Sequence, residues 1–189
     1  MPEWGWILIA ALAVIAVVAI AIAARASSKN RRSQGLQQRF GPEYEHVVRQ
    51  TGDPRAAENE LIERERKHKK LDIVPLTDEA RSVYAGQWRA VQTAFVDNPA
   101  AAVGDADRLV SQVMHERGYP VEDFEQRAED ISVDHPTVVH SYRAAHHIHL
   151  AQGHGEIRTE DQREAFVHYR TLFEKLLESD NDAPKEARA

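Results

Sequence analysis

Residues 77–118 read TDEARSVYAGQWRAVQTAFVDNPAAAVGDADRLVSQVMHERG, and their spacing decides the fold class. Tyr84, Trp88, Val91 and Phe95 recur at steps of four, three and four, and Val103, Ala106, Val110 and Val113 repeat the same pattern. That is the period of a helix burying one stripe of its surface. Thr77 and Asn98 offer side-chain oxygens to the free amides of a first helical turn, and Pro99 suits the first helical position. Gly118 supplies the stop. No segment alternates with period two or strings β-branched residues together as a strand would.

The same punctuation continues on both sides. Pro120 is expected to begin a helix carrying Val121, Phe124, Ala128 and Ile131, and Asp134 with Pro136 to open one that runs to Gln152. Thr159 and Gln162 have the spacing of a capping box ahead of Ala165, Phe166, Tyr169, Leu172, Phe173, Leu176 and Leu177. Upstream, Gly41-Pro42 opens PEYEHVVRQT, and Asp53-Pro54 opens PRAAENELIERERKHKKL, whose acids come early and bases late, as the helix dipole favours. The large apolar residues of that last helix are Leu61, Ile62 and Leu71, which predicts a peripheral position. LDIVPL reads as a short extended connection. The expectation is all-α: a compact antiparallel bundle of about five helices between 77 and 178, with the two earlier helices forming a neck or lying against its side.

Composition adds a second region. The chain has 189 residues, a formal charge of −6 and no cysteine, which excludes disulfides, thiolate zinc sites and cysteine nucleophiles. Residues 1–24 hold 21 hydrophobic residues and one charge, Glu3. From Trp6 to Ala24 no side chain is polar, and a helix of that length spans roughly 28 Å, the thickness of a bilayer core. Trp4 and Trp6 stand where indole rings favour the membrane interface. Ala24-Arg25-Ala26 imitates a signal-peptide cleavage site, but residues 1–5 lack the basic flank a signal peptide needs.

The expected organisation is therefore a transmembrane anchor at 1–24, a basic juxtamembrane linker at 25–39, a soluble helical domain at 40–178 and a disordered tail at 179–189. Residues 25–39 carry a charge of +5 and residues 40–189 a charge of −10. The positive flank places the N-terminus outside and the helical domain on the cytoplasmic side of an inner membrane, in single-pass topology. An acidic domain behind a basic tether is not expected to bind nucleic acid.

Chemistry-bearing patterns are sparse. Of ten histidines, seven fall between 135 and 168. On a helical wheel His146 and His149 share the side of Val138, Tyr142 and Ala145, while His140 and His147 face the opposite way. An inward pair three residues apart could bind a metal if His168 or a carboxylate completed the set, and hydrogen bonding at the core edge is the simpler role. The Glu-x-x-His spacing of di-iron bundles occurs at Glu43/His46 and Glu65/His68, no more often than chance allows for this composition. Gly153-His154-Gly155 lacks the Gly-Lys-Ser/Thr of a phosphate loop, and neither G-x-S-x-G nor H-E-x-x-H occurs. Trp88, Phe95, Phe124, Phe166 and Phe173 read as core.

No catalytic residue, cofactor-binding residue or metal ligand is therefore assigned, and no cofactor is expected. The expected function is protein–protein interaction by a membrane-anchored adaptor, scaffold or envelope accessory domain, with Asp134–Arg143 as its partner surface. The alternative is a metal-binding sensor or metal-dependent enzyme using His146, His149 and His168.

Three stretches carry a resemblance: FGPEYEHVVRQTGD (40–53), FVDNPAAAVGDADRLVSQVMHERGYPVEDFEQRAEDISVDHP (95–136) and HPTVVHSYRAAH (135–146). Through them the chain resembles a family of uncharacterised bacterial membrane-attached helical proteins, some labelled secreted. The resemblance covers roughly residues 40–178. It implies a membrane-attached helical protein and carries over no activity, cofactor or catalytic residue.

Overall fold

The computed structural model describes residues 31–152, 155 and 157–178. The chain divides into two units, Met1–Arg39 and Phe40–Ala189, and in the first of these residues 31–39 are helical. The expected anchor at 1–24, the start of the basic linker, the Gly153-His154 link and the tail at 179–189 lie outside the described residues. Among the described residues, no helix is long and apolar enough to cross a membrane.

The second unit is a helical bundle, and no strand occurs among the described residues. Its helices are α1 (Pro42–Thr51), α2 (Pro54–His68), α3 (Asp78–Asp97), α4 (Pro99–Glu116), α5 (Phe124–Asp134), α6 (Val139–Gln152) and α7 (Thr159–Leu177). Local chemistry sets most of the starts. Asp53 Oδ1 accepts from the Arg55 amide, Thr77 Oγ1 from Ala80 and Asn98 Oδ1 from Ala101, so each cap relieves an amide that the first turn leaves unpaired. Gly52, at φ 69°, closes α1 in the left-handed conformation.

Two starts differ from the sequence reading. Pro120 lies in the loop, and α5 begins at Phe124 because the extended Asp123 caps it, its Oδ2 accepting from Gln126 N at 2.9 Å. The residue before Pro136 resists helical geometry. His135 therefore ends α5, and α6 begins only at Val139, after a turn. The capping box is also absent: Arg158 occupies the cap of α7 without a side-chain bond, and Gln162 is buried instead.

The core is centred on α4 and α7. α4 buries Ala102, Val103, Ala106, Leu109, Val110, Val113 and Met114, and α7 buries Ala165, Phe166, Tyr169, Leu172, Phe173 and Leu176. α3 and α6 pack on α4, α6 also packs on α7, and α5 packs on α6. α1 and α2 pair with each other and rest on α6 and α5 respectively. α2 is not simply a solvated helix, because Ala57, Leu61 and Arg64 form a buried stripe along it.

α3 is the exception. It has 20 residues, yet Trp88 is the only one that is buried, while Tyr84, Val91 and Phe95 are half covered.

The connection after α2 is pinned by a close backbone approach. Val74 N donates to Arg117 O at 2.9 Å, and buried Arg117 donates to Val74 O and to the Leu176 carbonyl at the end of α7. Gly118, at φ 95°, sits so close that a Cβ would lie 2.3 Å from the Asp72 carbonyl oxygen. Gly118→Ala is therefore expected to destabilise the domain by about 2 kcal/mol or more, since it adds a backbone clash to an unfavourable dihedral. Urea denaturation of the full chain measures this, and an unchanged midpoint would refute the constraint.

Candidate functional site

The histidines singled out by spacing divide between different surroundings. On α6, His146 and His149 are half-buried while His140 and His147 are exposed, as the wheel predicts. The His146 ring stacks on Phe124 with centroids 3.6 Å apart and planes 7° from parallel. Its Nδ1 lies 3.7 Å from Oδ1 of Asp107 on α4, and that oxygen also accepts from the Tyr169 hydroxyl of α7 at 2.9 Å. Gly104, one turn before Asp107, leaves room for the His149 ring, whose Cε1 would lie 3.5 Å from an added Cβ.

Within this cluster the His146 and His149 Nδ1 atoms and the Tyr142 hydroxyl are buried without a hydrogen-bond partner. Burial pushes the Asp107 carboxyl up, but His146 and Tyr169 outweigh it and hold the group below its usual range. His168 does not join this cluster through any ion pair; its Nε2 faces Glu164 of its own helix at 3.6 Å. Among the described residues, no group of three or more histidines and carboxylates is placed to hold a metal ion. Asp107 went unassigned at the sequence level. Its signal is a charge inside an apolar seam, at the four-three spacing of Val103, Asp107 and Val110.

The Glu-x-x-His pairs are likewise used elsewhere. Glu43 is buried and chelated by Arg64 Nη1 at 2.8 Å and by both Arg143 amino groups at 2.6 and 2.8 Å, so α1, α2 and α6 meet at one carboxylate. Arg64 also pairs with Glu60 and donates to Ser132. His68 Nε2 lies 2.7 Å from Oδ2 of Asp134, which accepts from the Tyr119 hydroxyl at 2.5 Å.

These contacts involve the expected partner surface. In Asp134–Arg143, Val138, Val139 and Tyr142 are buried, His135 is half-buried and Arg143 is committed to Glu43. His140 alone keeps the exposed position expected of that segment's histidines. Asp134, Thr137 and His140 are exposed, while Asp134 and Arg143 are also engaged by His68 and Glu43.

His135 carries a pH consequence. Burial holds its imidazole below 6.5, with Asp134 opposing and Arg117 reinforcing the shift; burial and Arg143 do the same to His46. The unfolded chain then binds more protons than the folded one in mildly acidic solution. Stability is full above the ordinary imidazole value and falls as pH drops through the depressed ones. His135→Gln is expected to flatten the decline in urea-unfolding free energy between about pH 7.5 and 5.5, and an unaltered slope would remove His135 from the account.

An open feature lies between α3 and α7. Trp88 stacks on Phe173 with centroids 4.5 Å apart and on Phe166 at 5.1 Å, while Phe95 meets Phe166 at 4.8 Å. Advancing along α3 thus retreats along α7, so the two helices run antiparallel. Beside these rings an open groove of about 580 Å³ is lined by Ala85, Trp88, Arg89, Phe173, Glu174, Leu177 and Glu178. The Trp88 indole nitrogen is buried without an acceptor.

Ala85, Arg89, Gln92 and Val96 share the groove flank of α3 at steps of four, three and four, and Val96 is 82% exposed. On α7, Val167, Glu174 and Glu178 share a face, with Val167 47% exposed. The arrangement is an apolar floor flanked by the charged side chains of Arg89, Glu174 and Glu178.

Comparison with known proteins finds no matching family model, no matching curated protein and no matching solved structure.

Proposed function

We propose that this chain is a membrane-tethered protein-interaction domain and that the α3/α7 groove is its docking face. The observation carrying this reading is α3 itself, a 20-residue helix that buries only Trp88 and leaves Val96 on the groove flank exposed. Half-covered Tyr84, Val91 and Phe95 beside exposed Val96, with exposed Val167 across the groove, mark a place where another protein would complete the packing. Charge supports the tether: residues 6–24 are free of polar side chains, and the basic flank at 25–39 precedes an acidic domain. The domain then belongs on the cytoplasmic side of an inner membrane, bound there by a single-pass anchor. Its net negative charge favours protein over nucleic-acid partners.

Photo-crosslinking tests the reading. A photoreactive residue placed at Arg89 or Glu174 in the full chain, in native membranes, is expected to give the same discrete adduct from both positions. Arg55 and Lys69, exposed on or just beyond α2, serve as controls and should give none. Adducts indifferent to position, or absent from the groove, would overturn the proposal. A compartment-specific reporter fused after Ala189 tests the orientation, and activity on the outer side alone would reverse it.

A further inference from the structure

We propose that the C-terminal end of α2 lies against an anionic bilayer surface, through Lys67, Lys69 and Lys70 and the exposed Val74–Pro75 bend that follows them. The proposal rests on the tethered reading of the chain and is independent of the groove.

Charge pairing sets these lysines apart. Most cations of the domain stand three or four residues from an acid that pairs with them, as Arg81 with Asp78, Arg163 with Glu160 and Lys175 with Glu178. Lys67, Lys69 and Lys70 are exposed and form no ion pair among the described residues. The neighbouring acids are largely committed. Glu63 pairs with Arg66 and Asp134 with His68, Glu65 is half-buried, and Asp130, on which Lys67 acts electrostatically, is buried. Asp72 is the exposed acid left beside the three lysines. A stretch of charge −10, residues 40–189, thus carries one locally cationic end. That end is also ordered: Lys69 N donates to Glu65 O, Lys70 N to Lys67 O and Leu71 N to His68 O, all at 2.9–3.0 Å.

An apolar bend follows directly. Val74 is 44% exposed, Pro75 is exposed, and the bond from Val74 N to Arg117 O holds the bend in place. Cations beside a projecting apolar bend suit the headgroup boundary, where ammonium groups meet lipid phosphates and a small apolar side chain enters the acyl edge. A nucleic-acid backbone has no use for the bend.

Topology places the patch. Gly52 and Asp53 join α1 to α2, and Glu43 in the first turn of α1 meets Arg64 in the last turns of α2 at 2.8 Å, so the two helices run antiparallel. The lysines therefore stand at the end of the domain where the chain enters at Phe40, just after the stretch of charge +5 at 25–39. On the tethered reading that end is nearest the anchor. Within a Debye length of about 8 Å the lysines act on the surface, while more distant acids are screened.

Val74→Cys supplies the full chain with a single thiol, which is labelled with an environment-sensitive fluorophore. The labelled chain is reconstituted with vesicles of phosphatidylcholine alone or with about one third phosphatidylglycerol, and the vesicles are recovered by flotation. Emission is expected to shift to the blue in the anionic vesicles relative to the neutral ones. The shift should be lost at high salt and in the combined Lys67→Gln, Lys69→Gln and Lys70→Gln variant, with a probe at Arg55→Cys unmoved. Emission alike in both lipids, or a shift that survives loss of the three lysines, would overturn the proposal. Lysine-dependent retention of an RNA homopolymer, with emission indifferent to lipid, would also overturn it and make the patch a nucleic-acid surface. Flotation reads the tether separately. A chain that floats with both vesicles while its emission ignores the lipid loses the patch and keeps the anchor; one that floats with neither loses both.

Discussion

Glu43→Ala is expected to remove about 3 kcal/mol of folding stability, the cost of leaving Arg143 without its counter-ion and Arg64 with Glu60 and Glu129 alone. The carboxylate is 2% exposed, and Arg64 beside it is 5% exposed. Neither guanidinium can recover hydration without pulling α2 or α6 away from α1. Denaturation of the full chain in urea measures the loss, and a change below about 1 kcal/mol would show that the three helices are held otherwise. A double-mutant cycle sharpens the claim. Glu43→Gln combined with Arg143→Met should cost less than the two changes summed, because each single variant strands a partner and the double strands fewer.

Trp88→Ala is expected to cost a similar amount, about 3–5 kcal/mol, through lost apolar burial and lost ring contacts. Its effect should also be local. Trp88 is the only buried residue of α3, so its truncation leaves that helix with half-covered contacts alone. Hydrogen exchange is expected to show α3 amides losing protection while α4 and α7 keep theirs. Uniform loss along the bundle would instead place Trp88 in a common core. Trp88→Phe, which preserves stacking on Phe173, should give a much smaller change in both measurements.

The all-helical architecture was legible because its signals are local. Asp53, Thr77 and Asn98 cap the helices they introduce, and the apolar repeats of α4 and α7 coincide with their buried faces. Where a local signal is misplaced, cap geometry decides. Pro120 reads as the helix start, whereas the cap is the extended Asp123, absent from that reading, through its bond to Gln126 N. Thr159 and Gln162 have capping-box spacing, but Gln162 turns inward.

The polar interior was less legible because its partners are distant in sequence. Glu43 finds Arg64 at a separation of 21 residues and Arg143 at 100. No periodicity within α1 announces those pairings, although Glu43 stands in the stripe of Phe40, Tyr44 and Val47. The histidine pair on α6 was placed correctly by the wheel, and its carboxylate neighbour proved to be Asp107, from a seam read as purely apolar. The seam of α3 showed a different limit: four large apolar residues at helical spacing say which face turns inward, not how completely it is covered.

The claim that the α3/α7 face is occupied in the membrane is tested most directly by thiol labelling. In a chain without other cysteines, Ala85→Cys and Val96→Cys report on that face, and Arg55→Cys reports on a distant one. Each full-length variant is labelled with a small maleimide in native membranes and again after dilution into detergent. Groove thiols should react about tenfold more slowly in membranes, as a site roughly nine-tenths occupied would, with the Arg55→Cys rate unchanged. Equal rates at all three positions in both settings would contradict the account.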